Sequence, residues 1–222
     1  MRPNEDSLPG LLRPAGPASL TWARRLVIPL LVLSAALVVL AAWAMPAGYS
    51  WQFHSISESA AQGQQHAWIA RLSFLCHGFA VFCLCVAMRR HWPRLTYWCL
   101  LVFALSMCGA SAFSHSPWVP GAHNDPVEDA LHSVFASAMG FAFCAAVLAR
   151  LLQRGLRASA GRLLDGFALV VATVVPLVQG SDAGVGGLLQ RLMFVVAYVW
   201  LGREALRARP QVRATLAQRD AR

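Results

Sequence analysis

The stretch LVIPLLVLSAALVVLAAWA, residues Leu26–Ala44, contains no charged residue and decides the fold class. A bilayer core about 30 Å thick is crossed by roughly 20 helical residues. The stretch therefore predicts a transmembrane helix. The arginines before it and the Ala-Trp-Ala at its end also imitate a signal peptide, but its apolar run is longer than a signal core, so we interpret it as a retained first helix.

Further apolar stretches close to membrane-spanning length follow along the chain. They are Ala67–Met88, Leu95–Phe113, Ala130–Leu152, Leu163–Gln179 and Leu188–Leu206. With 57% hydrophobic and 13% charged residues, the chain is too apolar for an ordinary soluble domain. The sequence predicts an all-α integral membrane bundle of six transmembrane helices over residues 26–206, in which short connections make successive helices antiparallel neighbours.

The charge distribution predicts the orientation of this bundle. All 19 basic residues are arginine, yet the connections 45–66, 114–129 and 180–187 contain none. By the positive-inside rule both termini are cytoplasmic. Residues 1–25, rich in Pro, Gly and Arg, are then a disordered cytoplasmic arm, and residues 207–222 are a basic cytoplasmic tail. The net charge of +9 follows from this topology, so no nucleic acid is expected as a partner.

Imidazole and carboxylate groups concentrate on the predicted outer side, which makes that side the expected functional surface. The groups are His54, Glu58, His66, His115, His123, Asp125, Glu128, Asp129, His132 and Asp182. In a helix His54 would share a face with Glu58, four residues later. His115 and His132 should lie at similar depth on neighbouring helices. His54, Glu58, His115 and His132 could therefore bind Zn²⁺, which would activate water for hydrolysis.

Structural roles explain several of the same residues equally well. Asp125 and Pro126 are typical of the N-cap and first position of a helix, with Glu128 completing a capping box. Ser55, Ser57 and Ser59 would cap or turn a short helix. The chain contains neither the GxSxG nor the HExxH signature, so no hydrolase motif supports the catalytic interpretation.

Two arginines, Arg71 and Arg191, lie inside predicted spans near their outer ends. An arginine at the centre of a membrane helix costs about 2.5–3.5 kcal/mol, so each is expected to have a partner. One hypothesis is an ion pair with Glu58, Asp129 or Asp182. The other is a site for a lipid phosphate or another anion, which a guanidinium group suits well.

Small and polar residues inside the spans predict how the helices pack. Glycines at 78, 109 and 140, with small neighbours, predict close approach of spans two, three and four. His77 lies in the middle of span two, and we expect it to hydrogen-bond to a neighbouring helix.

The first outer connection resembles a segment of a known family. It is similar to the "Y…SISELGA" segment that follows span one in the bacterial membrane family of domain of unknown function 998. The residues that carry the similarity are Gly48-Tyr49-Ser50 and His54-Ser55-Ile56-Ser57-Glu58-Ser59-Ala60. Two further matches extend the resemblance over about residues 25–208. One is Asp125-Pro126 followed by His132, and the other is the segment GLLQR from Gly187 to Arg191, which is similar to "GLxER". The chain departs from the family at Ser59, where Leu is frequent, and at Gln190, where an acid is usual.

The resemblance implies a six-helix protein of a bacterial inner membrane, and it does not supply an activity. It carries over Ser57, Glu58, Asp125, His132 and Arg191 as shared positions on the outer side. Our preferred hypothesis is a non-enzymatic protein whose outer face binds a lipid headgroup or small ligand, or assists a partner. The predicted ligand-binding residues are Ser57, Glu58, Arg71, Asp125, His132 and Arg191. Membrane lipids, and a membrane partner protein or a second copy of the chain, are the expected partners; the alternative is a membrane-embedded hydrolase using the zinc ligands above.

Overall fold

The computed structural model describes residues 17–153, 159–179 and 184–220, and within them every regular element is a helix. The helices are α1 (Pro17–Trp43), α2 (Ile56–Ser59), α3 (Ala67–Met88), α4 (Arg94–Ala112), α5 (Pro126–Gln153), α6 (Ala160–Gln179) and α7 (Gly186–Asp220). The predicted all-α class is confirmed. Five of them, α1 and α3 to α6, are long and apolar enough to cross a membrane. These are the features of a multi-pass membrane protein.

The two ends of the bundle are more helical than the sequence predicts. α1 begins at Pro17, so residues 17–25 of the predicted arm are helical, while residues 1–16 lie outside the described part. Proline is well tolerated in the first turn of a helix, and the alanines and leucine that follow it are good helix formers. At the other end α7 continues to Asp220 and includes most of the predicted tail.

The six long helices form a closed ring. Going round it, the order is α1, α3, α4, α5, α6 and α7, and α7 packs back on α1. Short connections explain this order, because each places successive helices side by side. The packing is closest among α1, α3, α4 and α5, whereas α6 packs more loosely on both of its neighbours.

Glycines allow close helix packing at two of the three predicted positions. A Cβ on Gly78 would lie 2.8 Å from the Ala104 carbonyl oxygen, and one on Gly109 would lie 2.4 Å from the ring of Phe135. These contacts bring α4 against α3 and α5. The same prediction is wrong for Gly140, whose Cβ would meet no atom within 4 Å, because that face of α5 borders a cavity.

His77 does not make the hydrogen bond to a neighbouring helix that we expected. Its ring stacks on Tyr198 with centroids 4.6 Å apart, and neither ring nitrogen has a hydrogen-bond partner in the described structure. The Tyr198 hydroxyl is instead hydrogen-bonded to Ser34, at 2.7 Å, and Ser34 also donates to the Ser73 carbonyl. The polar link between α1, α3 and α7 therefore bypasses His77.

Buried charges join the C-terminal end of α5, the N-terminal end of α6 and the middle of α7. Glu204, 1% exposed, accepts from Arg150 at 2.8 Å and from Arg203 at 3.1 Å. Asp165, fully buried, pairs with the same Arg203 and accepts from the Trp200 indole N–H at 2.8 Å. Buried charges are stable when paired and hydrogen-bonded in this way. None of these residues stands out in the sequence as functional, since each lies near a predicted inner boundary where charge is common.

Candidate functional site

The connection between α1 and α3 packs against the N-terminus of α7. The first amides of α7, those of Gly187 and Leu188, donate to the carbonyls of Phe53 at 3.0 Å and Gln52 at 3.1 Å. These bonds satisfy amides that have no partner inside the helix. A Cβ on Gly187 would lie 2.3 Å from the carbonyl oxygen of His54, so only glycine fits at this contact.

Gln190 extends the same contact to α2. Its Oε1 accepts from the backbone amides of Ile56 and, at 3.3 Å, Ser57. A carboxylate would accept these bonds equally well, which agrees with the acid usual in the similar "GLxER" segment. This residue therefore holds α2 by its acceptor oxygen.

α2 begins with the capping arrangement predicted for its serines. Ser55 Oγ accepts from the Glu58 amide at 3.1 Å, and the Glu58 carboxylate accepts from the Ser55 amide. The two orphan amides of the helix start are thus satisfied reciprocally. Ser59 Oγ turns back to the Ile56 carbonyl. Of the three serines, Ser57 alone directs its hydroxyl to another part of the protein.

Arg191 and His54 also take part in the contact between the α1–α3 connection and α7. Arg191 donates to the His54 carbonyl at 2.8 Å and to the Tyr49 hydroxyl at 2.8 Å. The His54 ring accepts from the Ser50 amide at 2.9 Å and packs between Tyr49 and Trp118. Arg191 therefore fixes the loop through its guanidinium group, and the imidazole of His54 is an internal part of the loop.

Arg71 binds the end of a helix. Its guanidinium donates to the carbonyls of Ser111 at 2.8 Å and Ala112 at 2.6 Å, the last residues of α4. A cation at this end complements the helix dipole and satisfies carbonyls that lack an intrahelical partner. The predicted ion pairs of Arg71 and Arg191 with Glu58 or Asp129 are therefore wrong, because both guanidinium groups bind backbone carbonyls. Asp182 lies outside the described residues.

Asp125 and Glu128 organise the connection between α4 and α5. Asp125 is the N-cap of α5, as predicted: its Oδ1 accepts from the amides of Val127 at 2.9 Å and Glu128 at 3.3 Å. The predicted capping box is wrong, because the Glu128 carboxylate accepts from the Ser114 amide, at 2.9 Å, instead of its own cap. Glu128 is used to hold the end of α4 against the start of α5.

His115 is paired with Asp129 in the same connection. Its Nδ1 donates to Asp129 Oδ1 at 2.7 Å, and the same oxygen accepts from the Ser116 amide. The His115 ring stacks on His132 with centroids 5.4 Å apart. The two histidines predicted to lie at similar depth are therefore neighbours, although each has a different hydrogen-bond partner.

His132 joins α5 to α2 through Ser57. Its Nε2 lies 3.1 Å from Ser57 Oγ, and its Nδ1 lies 2.9 Å from the Phe113 carbonyl oxygen. Because a carbonyl oxygen only accepts, Nδ1 carries the proton of the neutral imidazole, and Nε2 is free to accept from the serine hydroxyl. The side chain is only 3% exposed, so this tautomer is held away from bulk water. The arrangement matches a general base, correctly oriented, beside a hydroxyl nucleophile.

A cavity of about 580 Å³ lies between α4, α5, α6 and α7, where α6 packs loosely. Its lining is mostly apolar and includes Phe103, Met107, Gly140, Val171 and Met193. Two amide side chains, those of Gln179 and Gln190, lie at the end formed by the last residues of α6 and the first turns of α7. The other polar side chains of the lining are those of His77, Ser137 and Thr173. A volume in this range is typical of a small-molecule or cofactor site.

Gln190 and α5 connect this cavity to Ser57 and His132, neither of which lines it. His132, Ala136 and Gly140 are spaced by four residues on α5, so they share one helix face, and the latter two line the cavity. Gln190 lines it from α7 and also holds the Ser57 amide. Gln190 therefore links the cavity to the backbone of α2 at Ser57.

The four predicted zinc ligands have separate partners. His54 is in the loop against α7, Glu58 caps α2, His115 pairs with Asp129, and His132 contacts Ser57. Across residues 17–153, 159–179 and 184–220, no three His, Cys, Asp or Glu side chains are arranged to hold a metal ion. Zinc binding stays a prediction.

Comparison with known proteins places the chain in a family. No curated protein and no solved structure matches it significantly. The family model described as "Protein of unknown function (DUF998)" matches residues 26–206. The match covers most of the chain and includes every contact described above between α2, α5 and α7. The chain therefore belongs to the DUF998 family.

Proposed function

We propose that this protein spans a bacterial inner membrane six times, with both termini in the cytoplasm, and binds a long-chain lipid. The lipid tail occupies the cavity between α4 and α7, and the polar end lies beside Ser57 and His132 at the outer side. The observation that carries this proposal is the position of Gln190, which both lines the cavity and holds the amide of Ser57.

Two features support the six-span topology. The connections on one side of the ring contain no arginine, whereas those on the other side are rich in it. In α7, the predicted sixth span, Arg203 and Glu204 are paired with each other and with charges on α5 and α6. This pairing lowers the cost of placing α7 in the membrane.

The chemistry of the cavity favours a lipid tail over a polar ligand. The lining offers aromatic, aliphatic and thioether groups along most of its length, and its amide groups lie at one end. An amphiphile matches this distribution, because its apolar part is excluded from water and its polar part meets hydrogen-bonding groups. Since Arg71 and Arg191 are bound to protein oxygens, the headgroup contacts come from Ser57, His132 and Gln190.

Filling the cavity should reduce lipid binding. Gly140→Phe places a ring in open space inside the cavity, because a Cβ there meets no atom within 4 Å. The ring would occupy volume that the proposed lipid tail fills, so we expect roughly tenfold weaker retention of lipid, which corresponds to about 1.4 kcal/mol of binding free energy. The measurement is the amount of lipid per protein after purification in detergent, by mass spectrometry.

Gly166→Phe is the matched control for this experiment. Gly166 also has open space at its Cβ position, but it lies on α6 outside the cavity lining. It should retain lipid as the unchanged protein does. Equal lipid content in the two variants, both folded, would contradict the proposal.

A further inference from the structure

We propose that Ser57 and His132 form a nucleophile and general-base pair that cleaves the acyl ester of a long-chain lipid held in the cavity. The inference rests on the proposed lipid binding for its substrate, and it adds a reaction. The substrate class is an ester of a long-chain fatty acid with an alcohol, presented from the membrane.

The first argument is the geometry of the pair. The Oγ to Nε2 distance of 3.1 Å is within hydrogen-bond reach, and the Phe113 carbonyl fixes the tautomer in which Nε2 accepts. His132 is buried and joins the Ser57 hydroxyl on α2 to the Phe113 carbonyl directly after α4.

The second argument is the position of the pair relative to the cavity. Ala136 and Gly140 continue the His132 face of α5 downward along the lining. Gln190 lines the cavity and accepts from the Ser57 amide, so an acyl chain whose carbonyl end lies at Gln190 has that end on the side of the cavity nearest Ser57. Gln190 orients its Oε1 towards α2, and its amide nitrogen, which has no partner in the described structure, is the donor available to the carbonyl oxygen.

The reaction balances with water as the only co-reactant. Ser57 Oγ bonds to the acyl carbon while His132 Nε2 takes the hydroxyl proton. The ester C–O bond then breaks, and His132 gives that proton to the leaving alcohol. Water from the outer side attacks the acyl-serine, His132 accepts its proton, and the fatty acid leaves as the proton returns to Ser57 Oγ.

The test is labelling of the full-length protein in detergent with two alkyl fluorophosphonates, one short-chain and one long-chain. Attack by Ser57 forms an O–P bond and releases fluoride, and fragmentation of the labelled peptide locates the adduct. We expect the adduct on Ser57, with the long-chain probe reacting faster than the short one. His132→Ala should slow labelling about 10²-fold or more, because the general base is lost.

Ser59→Ala is the matched control, since Ser59 lies on the same short helix and turns back to the Ile56 carbonyl. It should keep normal labelling, whereas Ser57→Ala should show none. No adduct on the unchanged protein, an adduct on another residue, or normal labelling of His132→Ala would overturn the inference.

The two probes separate this inference from the lipid-binding proposal. If neither probe labels Ser57 but Gly140→Phe still loses lipid, the lipid-binding proposal is supported and the ester-cleavage inference is wrong. If both label Ser57 at equal rates and Gly140→Phe changes nothing, the reactive pair stands and the cavity is not its substrate site.

Discussion

Gly187→Ala should detach the outer connection from α7 and destabilise the whole protein. The added methyl group would lie 2.3 Å from the His54 carbonyl oxygen and 2.6 Å from that of Trp51, distances that no relaxed structure allows. Both are backbone atoms, so a side-chain rotation cannot relieve the clash. Overpacking of this kind costs about 1–3 kcal/mol, and the lost amide bonds of Gly187 and Leu188 add to it.

The effect of Gly187→Ala is measured by the thermal unfolding midpoint in detergent and by protease cleavage within residues 49–60. Gly186→Ala is the matched control, because a Cβ at Gly186 would be 3.6 Å from the Phe53 carbonyl oxygen, an ordinary contact. We expect a lower midpoint and new cleavage for Gly187→Ala alone. Equal unfolding midpoints and equal cleavage of the two variants would show that the contact at Gly187 does not hold α2. The position proposed for Ser57 would then be unsupported.

Asp165→Ala should destabilise the inner half of the bundle by about 3–5 kcal/mol, the range for removing one partner of a buried ion pair. Asp165 is fully buried, pairs with Arg203, and accepts from the Trp200 indole N–H at 2.8 Å. Without the Asp165 carboxylate, the Arg203 guanidinium group, which is only 16% exposed, has less negative charge beside it. The free energy of unfolding, measured by denaturant titration in mixed micelles, is the readout.

A second substitution separates charge pairing from packing. In Asp165→Ala with Arg203→Met both members of the Asp165–Arg203 pair are removed, and the buried Glu204 keeps its ion pair with Arg150. We expect the double variant to be more stable than Asp165→Ala alone, since removing both partners of a buried pair costs far less than removing one. Additive losses from the two changes would indicate that the pair contributes only packing.

The fold could be predicted because its signals are local. Length and apolar composition gave α3 its observed bounds, Ala67–Met88, and placed α4 within one residue. α5 starts earlier than the apolar run because Asp125 caps it and its first turn contains two acidic residues, Glu128 and Asp129. The apolar composition of α7 is weaker because its first turns contain Gln190 and Arg191. These two side chains hydrogen-bond to Ile56 of α2 and to His54 just before it.

The partners within the site could not be predicted, because they are set by tertiary contacts. Ser57 and His132 are 75 positions apart, and no spacing rule connects them. For Arg71 the sequence left an ion pair and an anion site as alternatives. Helix ends also present carbonyls without partners, and Arg71 donates to those at the end of α4. In the sequence Gln190 is notable only because the similar family usually has an acid at that position. In the structure its side-chain oxygen accepts from the amides of Ile56 and Ser57, and this contact requires only an acceptor.

The most direct test of the account is photocrosslinking with a fatty-acid ester that carries a diazirine near the end of its tail. The account predicts adducts on cavity residues such as Met139 and Met193, suppressed by excess unlabelled ester and by Gly140→Phe. Adducts confined to lipid-facing residues such as Val32 and Leu40 of α1, unaffected by competitor, would show that the ester remains in the bulk membrane and would contradict it.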